Sequence, residues 1–80
     1  MNTMLTTIIR SLIDYPEKLN LVEVAGQDTV LFEVHADQSD LGKIIGKQGK
    51  NINAIRTLLN AVATKEGKRA SLTVVEPTRG

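Results

Sequence analysis

The residues best suited to chemistry lie in the stretch DLGKIIGKQGKNINAIRTLL, residues 40–59. Gly46 and Gly49 bracket two polar residues between helix-like stretches, and glycine permits a positive φ and close approach of another backbone. Loop N–H groups, the N-terminus of the following helix and nearby lysines together suit phosphate oxygens. These lysines stand at 43, 47 and 50. The stretch therefore predicts an anion-binding loop, with an ordinary turn between two packed helices as the alternative.

Other phosphate-binding motifs fit this stretch less well. A Walker A loop requires G-x-x-x-x-G-K-[ST], but the position five residues after Gly42 is Lys47 rather than glycine. A dinucleotide-binding loop requires G-x-G-x-x-G directly after a strand, whereas here the glycine spacing is four and then three. The chain has no cysteine, and His35 is its one histidine. We therefore predict no enzymatic activity, no metal site, no cofactor and no small-molecule substrate.

The composition predicts one small domain with an uneven charge distribution. Eighty residues suffice for a single core, which we place at residues 1–76, with 77–80 as a flexible tail. Residues 1–40 have two basic and seven acidic side chains, and residues 41–80 have eight basic and two acidic ones. The basic half indicates an anionic partner. No apolar run suits membrane insertion and no signal peptide is recognisable, so we expect a cytoplasmic protein.

Hydrophobic periodicity predicts the element order α-β-β-α-α-β and an α+β fold. An amphipathic helix ends before Pro16, strands at 19–25 and 29–36 flank a turn at 26–28, and a last strand covers 68–76. A short helix over Asp40–Ile45, with Ser39 as N-cap, leads into the loop. A long helix from Lys50 to Glu66 follows. The two-helix crossover allows parallel pairing of strands two and three, giving a three-stranded mixed sheet with three helices on one face.

The sequence also indicates how the two helices beside the loop end and pack. Gly67 fits the C′ position that ends the long helix, whereas Gly42 lies inside the short helix, where its missing side chain would permit close packing. The apolar stripe of the long helix predicts that Leu58 and Leu59 belong to the core. Only Tyr15 and Phe32 are aromatic, and Phe32 alternates with core valines, so base stacking on aromatic side chains is poorly supplied.

The segment IIGKQGKNI, residues 44–52, resembles the K-homology (KH) signature: two branched apolar residues, G-x-x-G and a further apolar residue. The element order is similar to the type II KH fold over about residues 2–75. LIDYPEKL, DLGKIIGKQGKNINAIRTLL and KEGKRASL also match, in order, the pattern of the KhpA family of small bacterial RNA-binding proteins. The resemblance implies binding of single-stranded RNA, including small regulatory RNAs, homodimer formation, and action with KhpB (Jag, or EloR) in cell elongation and division.

The resemblance also implies which residues contact RNA. Gly46, Lys47, Gln48 and Gly49 would clamp the backbone as the G-x-x-G loop, and Ile45 matches the apolar residue beneath the bases. The remaining expected RNA-binding residues are Leu41, Lys43, Ile44, Lys50, Ile52 and Asn53, although some of the apolar ones must belong to the core. Neutralisation of three or four phosphates would make affinity fall 20- to 50-fold, roughly, between 50 and 200 mM salt.

Two functions remain open from the sequence. The first is a non-enzymatic RNA-binding module that acts as a post-transcriptional regulator or RNA chaperone. The alternative is a dimerisation or docking module with little intrinsic RNA binding, in which the acidic half of one copy pairs with the basic half of another.

Overall fold

The computed structural model describes residues 1–76 and confirms the predicted α+β element order; the tail predicted at 77–80 lies outside the described residues. The elements are α1 (Asn2–Arg10), β1 (Asn20–Ala25), β2 (Thr29–His35), α2 (Gln38–Ile45), α3 (Lys50–Lys65) and β3 (Arg69–Val75). Single 3-10 turns occupy Pro16–Lys18 and Lys47–Gly49.

The sheet has the predicted mixed topology, with β2 in the centre. β1 and β2 form an antiparallel hairpin in which Glu23 faces Phe32, and β2 and β3 run parallel with Phe32 opposite Leu72. The α2–α3 segment crosses between the two parallel strands. The residue 46–49 loop lies at the midpoint of this crossover.

The core lies between one face of the sheet and the helices, as predicted. Side chains from all three helices and from β2 and β3 form one cluster, with Phe32 fully buried at its centre. On β2, Val30 and Val34 share this face, while Leu31, Glu33 and His35 alternate onto the other face and are partly exposed. The helices thus cover one side of the sheet, which confirms the type II KH arrangement.

The first helix is shorter than predicted, because the Asp40 carboxylate accepts hydrogen bonds from the backbone that follows it. α1 ends at Arg10, although the apolar pattern continues to Ile13, which is buried outside the helix. Both oxygens of the fully buried Asp40 accept backbone N–H bonds, from Asp14 at 3.0 Å and from Tyr15 at 3.0 Å. These contacts give the non-helical turn its polar partners and attach it to α2.

The expected N-cap of α2 is also corrected. Asp37 is the N-cap, and its side chain accepts a hydrogen bond from the Ser39 backbone N–H at 3.1 Å. Ser39 instead lies within the first turn, where its hydroxyl donates to the same carboxylate. Hydrogen bonds from the Ser39 hydroxyl, then from its backbone N–H and from Lys18, lower the pKa of Asp37 below its ordinary value. Ionised Asp37 therefore caps the helix start.

The prediction that Leu58 belongs to the core is wrong, since Leu58 is 51% exposed on the surface of α3. The buried side chains of this helix form a narrower stripe than the apolar residues of its sequence predict. They are Ile52, Ile55, Leu59 and Ala63. Adjacent helix positions are about 100° apart around the axis, so Leu59 is buried and Leu58 lies beside the stripe. On the other flank of α3, the Arg56 guanidinium donates to the Leu72 carbonyl of β3 at 3.0 and 3.3 Å.

Candidate functional site

The loop at residues 46–49 has a backbone that favours glycine at both ends. Gly46 has φ 77° and ψ 171°, a region adopted almost only by glycine. Gly49 has φ 75°, and between them Gln48 is the one non-glycine residue of the described chain with a positive φ, at 56°. The Gly49 N–H donates to the Gly46 carbonyl at 3.1 Å and closes the turn. Lys47 and Gln48 are exposed at its tip.

Asn51 fixes the entry to this loop and was missed by the sequence analysis. Its Nδ2 donates to the Lys43 carbonyl at 2.8 Å, so it satisfies one of the last carbonyls of α2. A Cβ on Gly46 would lie 2.7 Å from Asn51 Cγ and 2.9 Å from its backbone nitrogen. Gly46 is therefore required both by its φ and by the packing of Asn51. An amide early in a helix gives no signal for this partner, because the contact depends on how α2 and α3 meet.

The start of α3 carries unusual electrostatics. Gly49 is the N-cap, no side chain of residues 1–76 caps this end, and the first turn has no acidic residue. The first helical residue is instead Lys50, whose positive charge adds to the positive end of the helix dipole. The Lys50 N–H donates to the Lys47 carbonyl of the preceding turn, and the side chains of both lysines, 47 and 50, are exposed at this end of the helix. This combination favours an anion over any cation.

Lys43, which was expected to contact RNA, has its ammonium paired with two carboxylates of the protein, while its side chain is 44% exposed. It donates to Asp14 Oδ2 and to Asp40 Oδ1, the latter at 3.4 Å. The hydrogen bond to Asp14, followed by the one to Asp40, outweighs burial and raises the pKa of Lys43. Burial alone would raise the pKa of Asp40, but the N–H groups of Asp14 and Tyr15 and the Lys43 ammonium lower it overall. Contact of this ammonium with a phosphate would therefore compete with its ion pairs to Asp14 and Asp40.

The apolar candidates divide between the surface and the core. Ile45 is 39% exposed at the end of α2, directly before the loop, where a ligand can reach it. Leu41, Ile44 and Ile52 are at most 8% exposed and belong to the core cluster, so they are not available as ligand contacts in this structure. Asn53 is exposed one turn into α3, with its Nδ2 near the space above Gly49.

Gly42 does not serve the close packing that its sequence position suggested. A Cβ built there would meet nothing within 4 Å. The residue lies on the exposed side of α2, so its missing side chain leaves open surface rather than room for a neighbouring element.

The arrangement suits non-covalent binding of a chain of phosphates beside an apolar surface. It combines the exposed tip Lys47–Gln48, the uncapped start of α3, Lys50 and the exposed Ile45. Residues 1–76 contain no group of His, Asp and Glu side chains arranged to hold a metal ion. No helix in this range is both long and apolar enough to span a bilayer.

Comparison with known proteins adds an independent line of support. The family model described as the KH domain of KhpA and KhpB matches residues 2–74. A Chlamydia pneumoniae protein named RNA-binding protein KhpA is 45% identical over 76 residues, covering 95% of this chain and 97% of that protein. The proteins of the same name from Chlamydia trachomatis and Clostridium acetobutylicum are 43% and 40% identical, over 95% and 94% of this chain. They are covered over 97% and 100% of their own lengths. No solved structure matches significantly.

Proposed function

Since this chain belongs to the KhpA/KhpB family of KH domains, we propose that it binds single-stranded RNA through the loop at residues 46–49. The observation that carries the proposal is the start of α3, where N–H groups without a side-chain cap lie beside Lys50 and the exposed Lys47. A cation at a positive helix end is unfavourable in the free protein. A phosphate bound there would remove this disadvantage, because its negative charge offsets both the lysine and the positive end of the dipole.

The loop supplies the grip on the backbone and α2 supplies the surface for bases. Lys47 and Gln48 reach the phosphates from the loop tip, while Ile45 offers an aliphatic contact to a base. Aromatic stacking contributes little, because Phe32 is buried in the core. KH domains hold about four nucleotides in this way. The chain acts by binding rather than by catalysis, with no cofactor and no small-molecule substrate.

The decisive experiment compares two charge-matched double variants for binding to a short single-stranded RNA. Lys47→Asp with Gln48→Asp changes the loop tip, and Lys65→Asp with Asn60→Asp makes the same charge change in the last two turns of α3. We expect the loop variant to lose RNA binding and the control variant to keep most of it, with circular dichroism unchanged for the loop variant. RNA affinity that is equal in the two folded variants would contradict the loop assignment.

Salt dependence measures how many lysines take part. If Lys43 keeps its ion pairs with Asp14 and Asp40, the proposal assigns two phosphate contacts to the loop, Lys47 and Lys50. Two contacts to single-stranded RNA predict a roughly sevenfold loss of affinity between 50 and 200 mM salt, below the 20- to 50-fold loss expected from three or four.

The wider role follows the family rather than the geometry. We propose a cytoplasmic post-transcriptional regulator or RNA chaperone, acting on targets that include small RNAs and working with a KhpB partner (Jag, or EloR) in cell elongation and division. Crosslinking to RNA in cells, followed by sequencing, identifies the targets. Mixing the purified chain with KhpB and measuring the mass by light scattering tests the heteromeric partner.

A second candidate function is a dimerisation module, and the exposure of Leu58 favours it. This side chain is 51% exposed on α3 and lies on one side of the helix with Ala54 and Ala61, which are also exposed. An apolar strip on a helix suits association with a second copy. Light scattering of the parent and of Leu58→Lys tests it. A parent that is dimeric without RNA, a monomeric Leu58→Lys variant and no RNA binding by either would favour this function over the first.

A further inference from the structure

The two outer strands of the sheet differ in what occupies their outward backbone groups. On β3, the Leu72 carbonyl accepts two hydrogen bonds from the Arg56 guanidinium. No group of residues 1–76 bonds in this way to the outer side of β1, which pairs with β2 alone. Four of the six residues of β1 are exposed: Asn20, Glu23, Val24 and Ala25. The outer side of β1 is therefore open to solvent.

The hydrogen-bond alternation of an antiparallel pair tells which groups of β1 face outward. The Gly26 N–H donates to the Thr29 carbonyl at 2.7 Å, where the β1–β2 hairpin turns. Every second residue back along β1 from Gly26 therefore directs its N–H and carbonyl toward β2. The residues between them direct theirs outward, and these are Leu21, Glu23 and Ala25. Their backbone groups form a row that can pair with one more strand.

The side chains beside this row select the kind of strand that fits. Val22 and Val24 lie on the sheet face that the helices leave open. Val24 is 55% exposed there, opposite Leu31 of β2. Glu23 is exposed on the other face and has no ion-pair partner among residues 1–76. An added strand would therefore gain from apolar side chains on the open face and from a basic side chain opposite Glu23.

A second copy of the chain fits this site poorly. When two such strands pair antiparallel, their outward residues lie opposite one another, and the row on β1 is centred on Glu23. Pairing the whole row with itself would place Glu23 directly against the same residue of the other copy. Like charges in this position are destabilising. A shift of two residues would separate the carboxylates but would leave part of the row unpaired.

We propose that the outer side of β1 binds an extended basic segment of another protein, which adds to the sheet as a fourth strand. The backbone of the segment pairs with the outward groups of β1, as in other complexes formed by strand addition. A Lys or Arg of the segment lies opposite Glu23, and apolar side chains on either side of it contact Val22 and Val24. The site is formed by elements other than the residue 46–49 loop, so the inference does not depend on RNA binding.

The test uses the synthetic peptide Thr-Val-Lys-Val-Thr, blocked at both ends, and amide hydrogen exchange followed by NMR. The peptide should slow exchange of the outward amides of Leu21, Glu23 and Ala25. The amides of Val22 and Val24 are bonded to β2 already and should change little. Glutamate in place of the peptide lysine should weaken binding by about fivefold, the scale of one cross-strand charge pair. Methylation of the peptide amides that face β1 should abolish binding.

Glu23→Lys is the matched variant, and it should prefer the glutamate peptide to the lysine peptide by a similar factor. The loop variant Lys47→Asp with Gln48→Asp should bind the lysine peptide as the parent does. Unchanged exchange of the outward amides at millimolar peptide would overturn the proposal, and so would the same peptide preference in the parent and in Glu23→Lys. Protection of these amides in the free protein that grows with protein concentration would also overturn it, since a second copy would then be the occupant.

Discussion

The two ends of α3 share a glycine with a positive φ but differ in the electrostatics of the residues beside it. Each end has a glycine with nearly the same φ, 75° at Gly49 and 72° at Gly67. At the C-terminal end, the Gly67 N–H donates to the Thr64 carbonyl at 3.0 Å and the Lys68 N–H to the Ala63 carbonyl at 2.8 Å. This is the hydrogen-bond pattern of a Schellman cap, and it satisfies the last carbonyls of the helix.

At the N-terminal end, the Gly49 N–H donates to the Gly46 carbonyl and the Lys50 N–H to the Lys47 carbonyl, so a 3-10 turn precedes the helix. No side chain of residues 1–76 caps Gly49, and Lys50 places a positive charge where the dipole is already positive. Lys65 in the last turn has the opposite, favourable relation to the dipole. The difference shows that a glycine with a positive φ does not by itself determine the electrostatics of the helix end beside it. The distinction lies in the flanking charge, because Lys50 opposes the helix dipole at one end and Lys65 complements it at the other.

Replacement of the first loop glycine should produce the largest effect. Gly46→Ala combines a backbone region adopted almost only by glycine with contacts of 2.7–2.9 Å to Asn51. We expect a loss of about 2–4 kcal/mol in the free energy of unfolding, together with loss of RNA binding. Urea denaturation measures the first and an RNA titration the second. A loss below that of Gly67→Ala would contradict the role given to Asn51.

Acid should weaken the hydrogen bonds from Asp40 of α2 to the backbone N–H groups of Asp14 and Tyr15. The folded-state pKa of Asp40 is lowered from its ordinary 3.8, so its ionised form stabilises the fold above that pH. This contribution is lost as pH falls below 3.8 and through the folded-state pKa. Asp40→Asn should lower the melting temperature by several degrees at pH 7 and make its fall between pH 5 and pH 2 shallower. Asp37, which shifts in the same direction, accounts for a remaining slope. Identical pH profiles for the parent and the variant would exclude this role.

The closed end of α3 should tolerate its own glycine replacement better. Gly67→Ala meets nothing within 4 Å, so only the positive φ is penalised. The free energy of unfolding should fall by about 1–2 kcal/mol, with RNA affinity unchanged in the folded protein. Weaker RNA binding by the folded variant would show that the two ends are not separate in function.

Removal of single charges should give the smallest and most informative effects. Lys50→Gln should stabilise the fold by about 0.3–1 kcal/mol, and the matched Lys65→Gln should destabilise it by a similar amount. Lys50→Gln should also reduce the slope of log affinity against log salt by about 0.7, whereas Lys65→Gln should leave it unchanged. Thermal unfolding and RNA titrations at several salt concentrations measure both. Equal slopes of log affinity against log salt for the two variants would show that Lys50 does not contact an RNA phosphate.

The sequence predicted the fold well because its signals are local. The element order, the hairpin and the parallel crossover follow from periodicity and turn residues, and Gly67 was identified from its position after the helix. The loop was identified by its two glycines and by Lys47, which is exposed as expected.

The remaining details could not be predicted, because they depend on contacts between distant residues. Asp40 shortens α1 by binding backbone N–H groups 25 and 26 positions away. The ion pair between Lys43 and Asp14, 29 positions away, was likewise not predictable from the sequence. The prediction that Leu58 is buried was wrong for a geometric reason: the three-stranded sheet covers a narrower stripe of α3 than its apolar residues form. Asn51 gave no signal, because its acceptor is a backbone carbonyl.

The bond from Arg56 to β3 has a consequence for aggregation. β3 is an edge strand, and unpaired carbonyl and N–H groups on such strands invite another chain to add to the sheet. The Arg56 guanidinium places a bulky cation on the Leu72 carbonyl in the middle of that strand. Growth of the sheet beyond β3 would require this cation to leave. We therefore expect Arg56→Ala to increase the tendency of this strand to start intermolecular β-structure.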